Sequence, residues 1–410
     1  MISMIIHWDC LEQLKLLEEN SVDSVVVDPP YWLKFMWKAW DYDVPQVEVR
    51  KEVLRVLKPW GHLLSFAGSR TYHRMAVNIE DAGFEIKDQI MWVYWSWFPK
   101  SHNIGKAVDK LQGNEREVVG KILQPGSTNK RLAMGDGWQD EPDLTKGSSP
   151  YEWRGTALKP AHEPIVVARK PLSEKTIANN VLKWGTGGIN IDWTRVGTDD
   201  KMSYSKSIKE GVTQFGTGTT EQNPQGRFPA NFIHDWSDEV VGLFPDSTKG
   251  GKPKTWTQGY NSKYVGGEKI DKGIDSTFHD SGGWSASRFF YCAKASKKDR
   301  NEGLEGFEEK RPDDRTVTGM WTFEEKWVAK QSNFHPTVKP TSLMQYLVRL
   351  VTPTGGTVLD PFMGSGSTGK ACKLEWFWFI GIEREEEYVR IAQARIDWCD
   401  IEVEEQTLFN

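Results

Sequence analysis

Two blocks in which short β-branched runs alternate with segments of helical period, one at each end of a 410-residue chain, constrain the fold more than any other feature. Alternation of that kind produces a sheet with helices packed on its faces, an α/β fold. In the first block the pattern predicts strands over 4–8, 22–27, 62–66 and 84–94, and helices over 11–17 and 47–57, with Lys58-Pro59-Trp60-Gly61 as a turn. In the last it predicts helices over 341–351, 367–374 and 385–396, strands over 357–359 and 377–382, and a solvated tail from Glu402 to Asn410. Between about 101 and 300 the periods are broken by Gly, Ser and polar aromatic stretches such as 211–226 and 250–283. There only Glu163 to Ala168 reads as a strand and Ser173 to Leu182 as a helix. The expected organisation is therefore a domain made of residues 1–100 and 301–410, with 101–300 as a large loop-rich insertion.

Charge and composition narrow the class. Lys and Arg number 52 against 57 Asp and Glu, a net charge of −5, which excludes a uniformly basic nucleic-acid wrapper. The sign is uneven along the chain: residues 101–300 carry 29 basic and 24 acidic side chains, so the middle is basic and its flanks are acidic. With 38% hydrophobic residues and no run near the roughly 18 apolar residues of a membrane span, neither global disorder nor a membrane bundle fits. Met1 to Asp9 lacks the basic start and cleavage site of a secretory signal, and a cytoplasmic protein is expected. Cys10, Cys292, Cys372 and Cys399 are scattered with no C-x-x-C pair, so no metal site and no disulfide framework are expected.

Two motifs carry chemistry. Asp360-Pro361-Phe362-Met363-Gly364-Ser365-Gly366 lies between a strand and a helix, where nucleotide-like ligands sit at the carboxyl edge of a parallel sheet. Glycine lets backbone approach a ligand closely, and Glu383, ending the next strand, is placed to accept hydrogen bonds from ribose hydroxyls. No G-x-x-x-x-G-K-[ST] loop is present, which disfavours nucleoside triphosphate chemistry. The second motif, Asp28-Pro29-Pro30-Tyr31, follows an apolar strand. Its plain reading is a proline-stiffened strand end with an aromatic on the core. Its functional reading is that Asp28 and the Pro29 carbonyl accept from an exocyclic amino group while Tyr31 stacks on the base. Such an amine is a poor nucleophile because its lone pair is conjugated with the ring. Two acceptors stabilise the positive charge that develops as it attacks a methyl group, and Pro30 holds the geometry.

At these residues the chain resembles the S-adenosylmethionine-dependent amino-methyltransferases of DNA. That family pairs a [D/N/S]-P-P-[Y/F/W] tetrad, here Asp28, Pro29, Pro30 and Tyr31, with an F-x-G-x-G cofactor loop, here Phe362, Gly364 and Gly366. The tetrad precedes the loop, which is similar to the family's beta circular permutation with target recognition between the two. His335-Pro336-Thr337-Val338-Lys339-Pro340 resembles the family's H-P-T-x-K-P segment, which implies that His335, Thr337 and Lys339 line the methionine end of the cofactor. Asp9-Cys10 resembles its acidic element near the cofactor adenine, and by itself reads as a helix cap. The resemblance covers most of 1–100 and 330–400. It implies a Rossmann-like methyltransferase sheet, S-adenosylmethionine as cofactor and double-stranded DNA as substrate, and it admits a homodimer and a partner restriction endonuclease. Asp rather than Ser in the tetrad favours N6 of adenine over N4 of cytosine. A cytosine 5-position enzyme would need a Pro-Cys nucleophile, and no Pro-Cys pair occurs. The alternative of another class is a nucleic-acid-binding protein of the same fold without catalysis, against which the intact tetrad and loop argue.

A base in a duplex must be flipped out before its amino group can react. Tyr31 and Trp32 belong to the tetrad loop, and one of Trp92, Trp95, Trp97 and Phe98, with Phe98 or Trp97 preferred, is expected to form the other wall of a base pocket, with Lys100 beside it. The densest basic stretch, including Arg288, Lys294, Lys297 and Lys298, is expected to meet phosphates.

Overall fold

The computed structural model describes residues 3–31, 44–94, 101–121, 143–158, 161–196, 203–204, 226–235, 237–244, 278–279, 290–292, 297–309 and 332–408. In chain order the elements are β1 (Ser3–His7), α1 (Cys10–Leu14), β2 (Val22–Val27), α2 (Val47–Val56), β3 (Leu57–Phe66), α3 (Tyr72–Asp81), β4 (Glu85–Val93), α4 (Ile104–Gln112), β5 (Glu117–Lys121) and β6 (Asp143–Lys146). They continue with β7 (His162–Arg169), α5 (Ile177–Trp184), β8 (Ser203–Tyr204), β9 (Phe232–His234), α6 (Asp238–Val241), β10 (Phe278–His279), β11 (Tyr291–Cys292) and α7 (Lys297–Asn301). The last block is α8 (Thr341–Val351), β12 (Thr357–Asp360), α9 (Ser367–Leu374), β13 (Trp378–Glu383) and α10 (Glu386–Leu408). They form two compact units, one of residues 1–95 with 162–410 and one of 96–161. The second unit is narrower than the expected 101–300 insertion, because β7, β9 and β11 extend the sheet of the first.

That sheet has nine strands in the order β1-β13-β12-β2-β3-β7-β4-β9-β11, a Rossmann-like arrangement in which β7 runs antiparallel to both of its neighbours. From β12 the chain winds outward to β13, and from β2 it winds the other way to β3. The strand order therefore reverses between β12 and β2, which pair in parallel with Val358 opposite Ser24 and Leu359 opposite Val25. Loops leaving two strands at such a reversal splay apart and leave a crevice at their carboxyl ends.

β2 is buried at every position because both faces of the sheet are covered. Successive side chains alternate between the faces. Val26, with Leu64, Phe66 and Phe379, packs under Leu343 and Leu347 of α8, Ala371 of α9 and Ile396 of α10. Val25 and Val27, with Leu63 and Leu359, pack under Leu14 of α1, Val53 of α2, and Met75 and Ile79 of α3. Helix α3 escaped the periodicity because only those two residues, one turn apart, are buried in a mostly polar segment. Lys58 to Gly61 form a bulge inside β3, since Val22 pairs with Leu57 and Ser24 with His62. The Pro59 carbonyl there accepts from Asn180 Nδ2 at 3.0 Å and Thr186 Oγ1 at 2.8 Å. The helix expected from Ser173 begins only at Ile177, where Thr176 caps it through the Asn179 amide. The segment 402–408, expected to be a solvated tail, is helical and continues α10.

Behind the glycine turn lies a buried polar network. Arg395, fully buried, donates to the Ser365 carbonyl at 2.6 Å and to the Asp299 carbonyl at 3.2 Å. Lys370 Nζ reaches Glu302 Oε2 at 2.6 Å and Asp299 Oδ1 at 3.3 Å, and Asp299 Oδ2 accepts from the Thr341 amide at 2.7 Å. One carboxylate thus ties the starts of α8 and α9 to α7. Asp360, at the end of β12, accepts from Thr368 Oγ1 at 2.6 Å and from the Phe362 amide at 3.0 Å, pinning both sides of the turn. Burial pushes its carboxyl up to about 7.

Among the described residues of the 96–161 unit, polar contacts join the helix to the strand pair. Helix α4 is capped by Asn103 and ends at Gly113, with φ +70°. Strands β5 and β6 form an antiparallel pair. The Arg116 guanidinium joins these parts by donating to Asp109, to Glu152 Oε1 at 2.6 Å and to the Thr145 carbonyl at 3.0 Å.

A Cβ at helical Gly369 would lie 2.4 Å from Ile396 Cδ1 and 2.6 Å from Phe379 Cε1. In Gly369→Ala the overpacking, about 1–3 kcal/mol, should exceed the helix-propensity gain of about 1 kcal/mol, lowering the urea midpoint. Asp360 holds its proton to about pH 7 when folded, against an ordinary value of 3.8. The folded state therefore binds more protons in that window, and stability falls as pH rises through it. Asp360→Asn, which cannot titrate, should show a shallower fall in denaturation profiles across the same range.

Candidate active site

Asp28 follows β2 at the crevice, and its carboxylate is already engaged. Oδ2 accepts from Lys339 Nζ at 2.6 Å, and Oδ1 accepts from the Tyr31 hydroxyl. The tetrad loop is anchored by Thr71, whose hydroxyl donates to the Tyr31 carbonyl at 2.6 Å. Lys339 Nζ lies 3.1 Å from Glu163 Oε2, 3.3 Å from the Tyr31 hydroxyl and 4.9 Å from the centre of the Phe66 ring. Glu163, on the antiparallel strand β7, also accepts from Tyr31 at 3.1 Å and, through Oε1, from the Tyr94 hydroxyl at 3.1 Å. Burial raises the Asp28 carboxyl, opposed by the Lys339 charge and reinforced by Glu163. The two carboxylates in turn outweigh burial at Lys339 and raise it, so the ammonium stays charged.

The glycine turn is one strand away. Gly364 has φ +54° and Gly366 φ +77°, a region that favours glycine. A Cβ on Gly364 would meet His335 Nε2 at 2.7 Å, and one on Gly366 would meet the Ala392 Cα at 2.9 Å. The turn is therefore a tight cradle walled by the His335 ring, which sits edge-on to Tyr388 at 4.5 Å. Glu383 accepts from the Gly364 amide and the Glu385 amide, each at 2.9 Å, so its carboxylate closes the same turn from the end of β13. Burial raises that carboxyl while the amides lower it.

Of the residues singled out from sequence, Asp28, Tyr31, Lys339, His335, Gly364, Gly366 and Glu383 converge on this edge. Pro29 is buried and Pro30 half-buried between β2 and Tyr31. Phe362 packs on the core beneath α1 to α3, and Asp360 faces Thr368. Thr337 donates its amide to His335 Nδ1 at 3.4 Å. Asp9 is exposed and caps α1 through the Leu11 amide at 2.9 Å. Cys10 follows it, its thiol pushed up to about 11 by burial. Trp32, Trp97, Phe98, Lys100, Arg288 and Lys294 lie outside the described residues. Lys297 and Lys298 open α7, and their side chains lie outside them too. Three contributors escaped the sequence reading: Glu163, Tyr94 and Thr71. Only Glu163 carried a signal there, an acidic side chain opening an otherwise apolar strand. Among the described residues no three or more His, Cys, Asp or Glu side chains are grouped to hold a metal, and no helix is long and apolar enough to cross a membrane.

Comparison with known proteins points the same way as the motifs. The chain is 34% identical over 118 residues to the type II methyltransferase M2.DpnII of Streptococcus pneumoniae, and 32% identical over 118 residues to M2.LlaDCHI of Lactococcus lactis subsp. cremoris. Each alignment covers 28% of this chain and 42% of the relative, so the chain spans about two-fifths of the length of these curated relatives. Among solved structures, the M1.HpyAVI–SAM complex is similar at a TM-score of 0.38 and 19% identity, over 97% of this chain and 100% of that one. The sequence model of the DNA methylase family matches residues 22–394, nearly the whole chain, and this protein belongs to that family.

Proposed function

We propose that this protein is an S-adenosylmethionine-dependent DNA amino-methyltransferase, acting on the exocyclic amino group of a base flipped out of double-stranded DNA. The observation that carries the proposal is that Asp28 and the Gly364–Gly366 turn leave adjacent parallel strands at the point where the strand order reverses. A catalytic carboxylate and a ligand cradle thereby share one crevice. The turn fits the cofactor: its glycines hold the left-handed backbone of a tight strand-to-helix loop, and Glu383 keeps lone pairs for ribose hydroxyls. When bound, S-adenosylmethionine supplies an electrophilic methyl group on a sulfonium.

The chain's own part is to prepare the amine. Asp28 and the Pro29 carbonyl accept its two N–H bonds, favouring a pyramidal nitrogen, and the Tyr31 ring forms one wall of the base pocket. An ionised carboxylate has about four acceptor sites, so Asp28 can take the amine while keeping Lys339 and Tyr31. Two carboxylates against one ammonium leave the cluster with a single negative charge when all three are ionised. In this part-buried site that charge stabilises the cation forming on nitrogen more than it would in bulk water. Asp at position 28 supports N6 of adenine, with N4 of cytosine as the alternative. The parts of 101–300 outside β7, β9 and β11 are the proposed target-recognition region, on the basic excess of that segment. The likeness to type II methyltransferases supports a role in DNA modification beside a restriction endonuclease.

Transfer of label from S-adenosylmethionine to duplex DNA, followed by nucleoside analysis, tests the reading. N6-methyladenine is expected, N4-methylcytosine would move the specificity, and no label would overturn the function. Asp28→Ala should abolish transfer while cofactor affinity in calorimetry stays near that of the native protein. Glu383→Gln should weaken cofactor binding about tenfold, since one charge-assisted hydrogen bond is worth about 1.5–3 kcal/mol.

A further inference from the structure

Methylating an amine leaves a proton to be disposed of. The nitrogen lone pair forms the new N–C bond, the S–C bonding pair stays on sulfur, and one N–H proton must leave the cationic nitrogen. Asp28 is the nearest base, but it lies in a part-buried cluster where a retained proton would leave it unable to receive the next amine. The structure places a second carboxylate one hydroxyl away. The Tyr31 oxygen contacts both Asp28 Oδ1 and Glu163 Oε2, yet it has one proton to donate, so that proton can be given to either side. Glu163 is held for this by Tyr94 from the end of β4 and by Lys339 ahead of α8.

We propose that Glu163 acts through Tyr31 as the positioning residue that clears the reaction's proton: Asp28 takes it from the methylated amine and passes it to the Tyr31 oxygen, as the Tyr31 hydroxyl proton moves to Glu163. Asp28 is thereby returned to its ionised form. Lys339, bound to both carboxylates, stays with the pair as the proton crosses and limits the charge separation. Part exposure of the Glu163 side chain, 20%, gives the proton an outlet to water. The groups facing this pair are Tyr31, Tyr94 and Lys339, with Asp360 at the end of β12 as a further carboxyl, itself raised in part by Asp28. This inference rests on the methyl-transfer reading above and adds a residue and a route to it.

Glu163→Gln preserves the shape and the acceptor for Tyr94 but cannot take up the proton. Multiple-turnover methylation of DNA should fall about a hundredfold or more, the range usual for acid–base groups, because Asp28 is no longer cleared of its proton between cycles. The acidic limb of its pH profile should move to lower pH, because Glu163 is one of the causes that raise Asp28. Infrared titration of the cofactor-free protein offers a second readout: the band of the buried carboxylic acid should vanish at lower pH in Glu163→Gln than in the native protein. An unchanged rate would overturn the proposal, as would a slower rate with both titrations unmoved, which is the signature of a merely structural role. If Glu163→Gln does not fold, Tyr31→Phe removes the relay hydroxyl and keeps both carboxylates. It should slow transfer with cofactor affinity retained, and full activity would overturn the relay. If the native protein methylates no DNA while the infrared titrations behave as expected, the methyl-transfer reading fails and the coupled carboxylates stand.

Discussion

The parallel pairing of β2 with β12 is the joint on which the site depends. These strands are more than three hundred residues apart in the chain, and their loops supply the two halves of the crevice. Asp23 locks the joint. Its Oδ2 accepts from the Thr357 amide at 2.8 Å at the start of β12, and its Oδ1 pairs with Lys58 Nζ at 2.6 Å beside the β3 bulge. Ser24 adds a hydroxyl contact to Thr352 at 2.8 Å, buried between α8 and β2. Each is a polar group buried with its partner in place, which is the condition for such groups to specify register and not to weaken the core.

Around that joint the protein treats its two turns differently. The glycine turn is braced from behind by cations: Arg395 on the Ser365 carbonyl, and Lys370 against Asp299 and Glu302. Burial pushes Arg395 down to about 10, still charged near neutral pH, so the turn carries a fixed positive support. The tetrad turn is instead embedded in hydrogen bonds between titratable groups. Asp28, Tyr31, Lys339 and Glu163 pair with one another, one ammonium lying between two carboxylates. Fixed cations thus brace the glycine turn, and a mutually paired polar cluster surrounds the Asp28 carboxylate.

Much of this was legible from local pattern. The apolar run 22–27 read as a buried strand because a strand covered on both faces has no polar alternation to obscure it. Helices 341–351 and 367–374 were legible to the residue, as one is an apolar stripe and the other follows a glycine turn. Helix α3 was not, for want of a wide stripe, and β9 and β11 were not, since two or three residues of strand have no period to read. Asp28, Gly364 and Glu383 stood out in the sequence because each closes or follows a strand in a recognisable arrangement. Glu163 and Tyr94 were missed because a single polar residue at a strand end is ordinary in any sheet.

The sequence by itself determined which short segments are strands, which are turns, and what chemistry a carboxylate followed by two prolines and a tyrosine can perform, because those properties are set by neighbours a few residues away. Only the tertiary structure decided that Lys339 lies against Asp28, though resemblance put it among cofactor contacts, and that Glu163 completes the cluster. The physical reason is the antiparallel insertion of β7 between β3 and β4, a long-range pairing that brings residue 163 within hydrogen-bond reach of residues 31, 94 and 339. Proximity of that kind follows from sheet order, and sheet order is settled by which buried faces fit together across the whole chain.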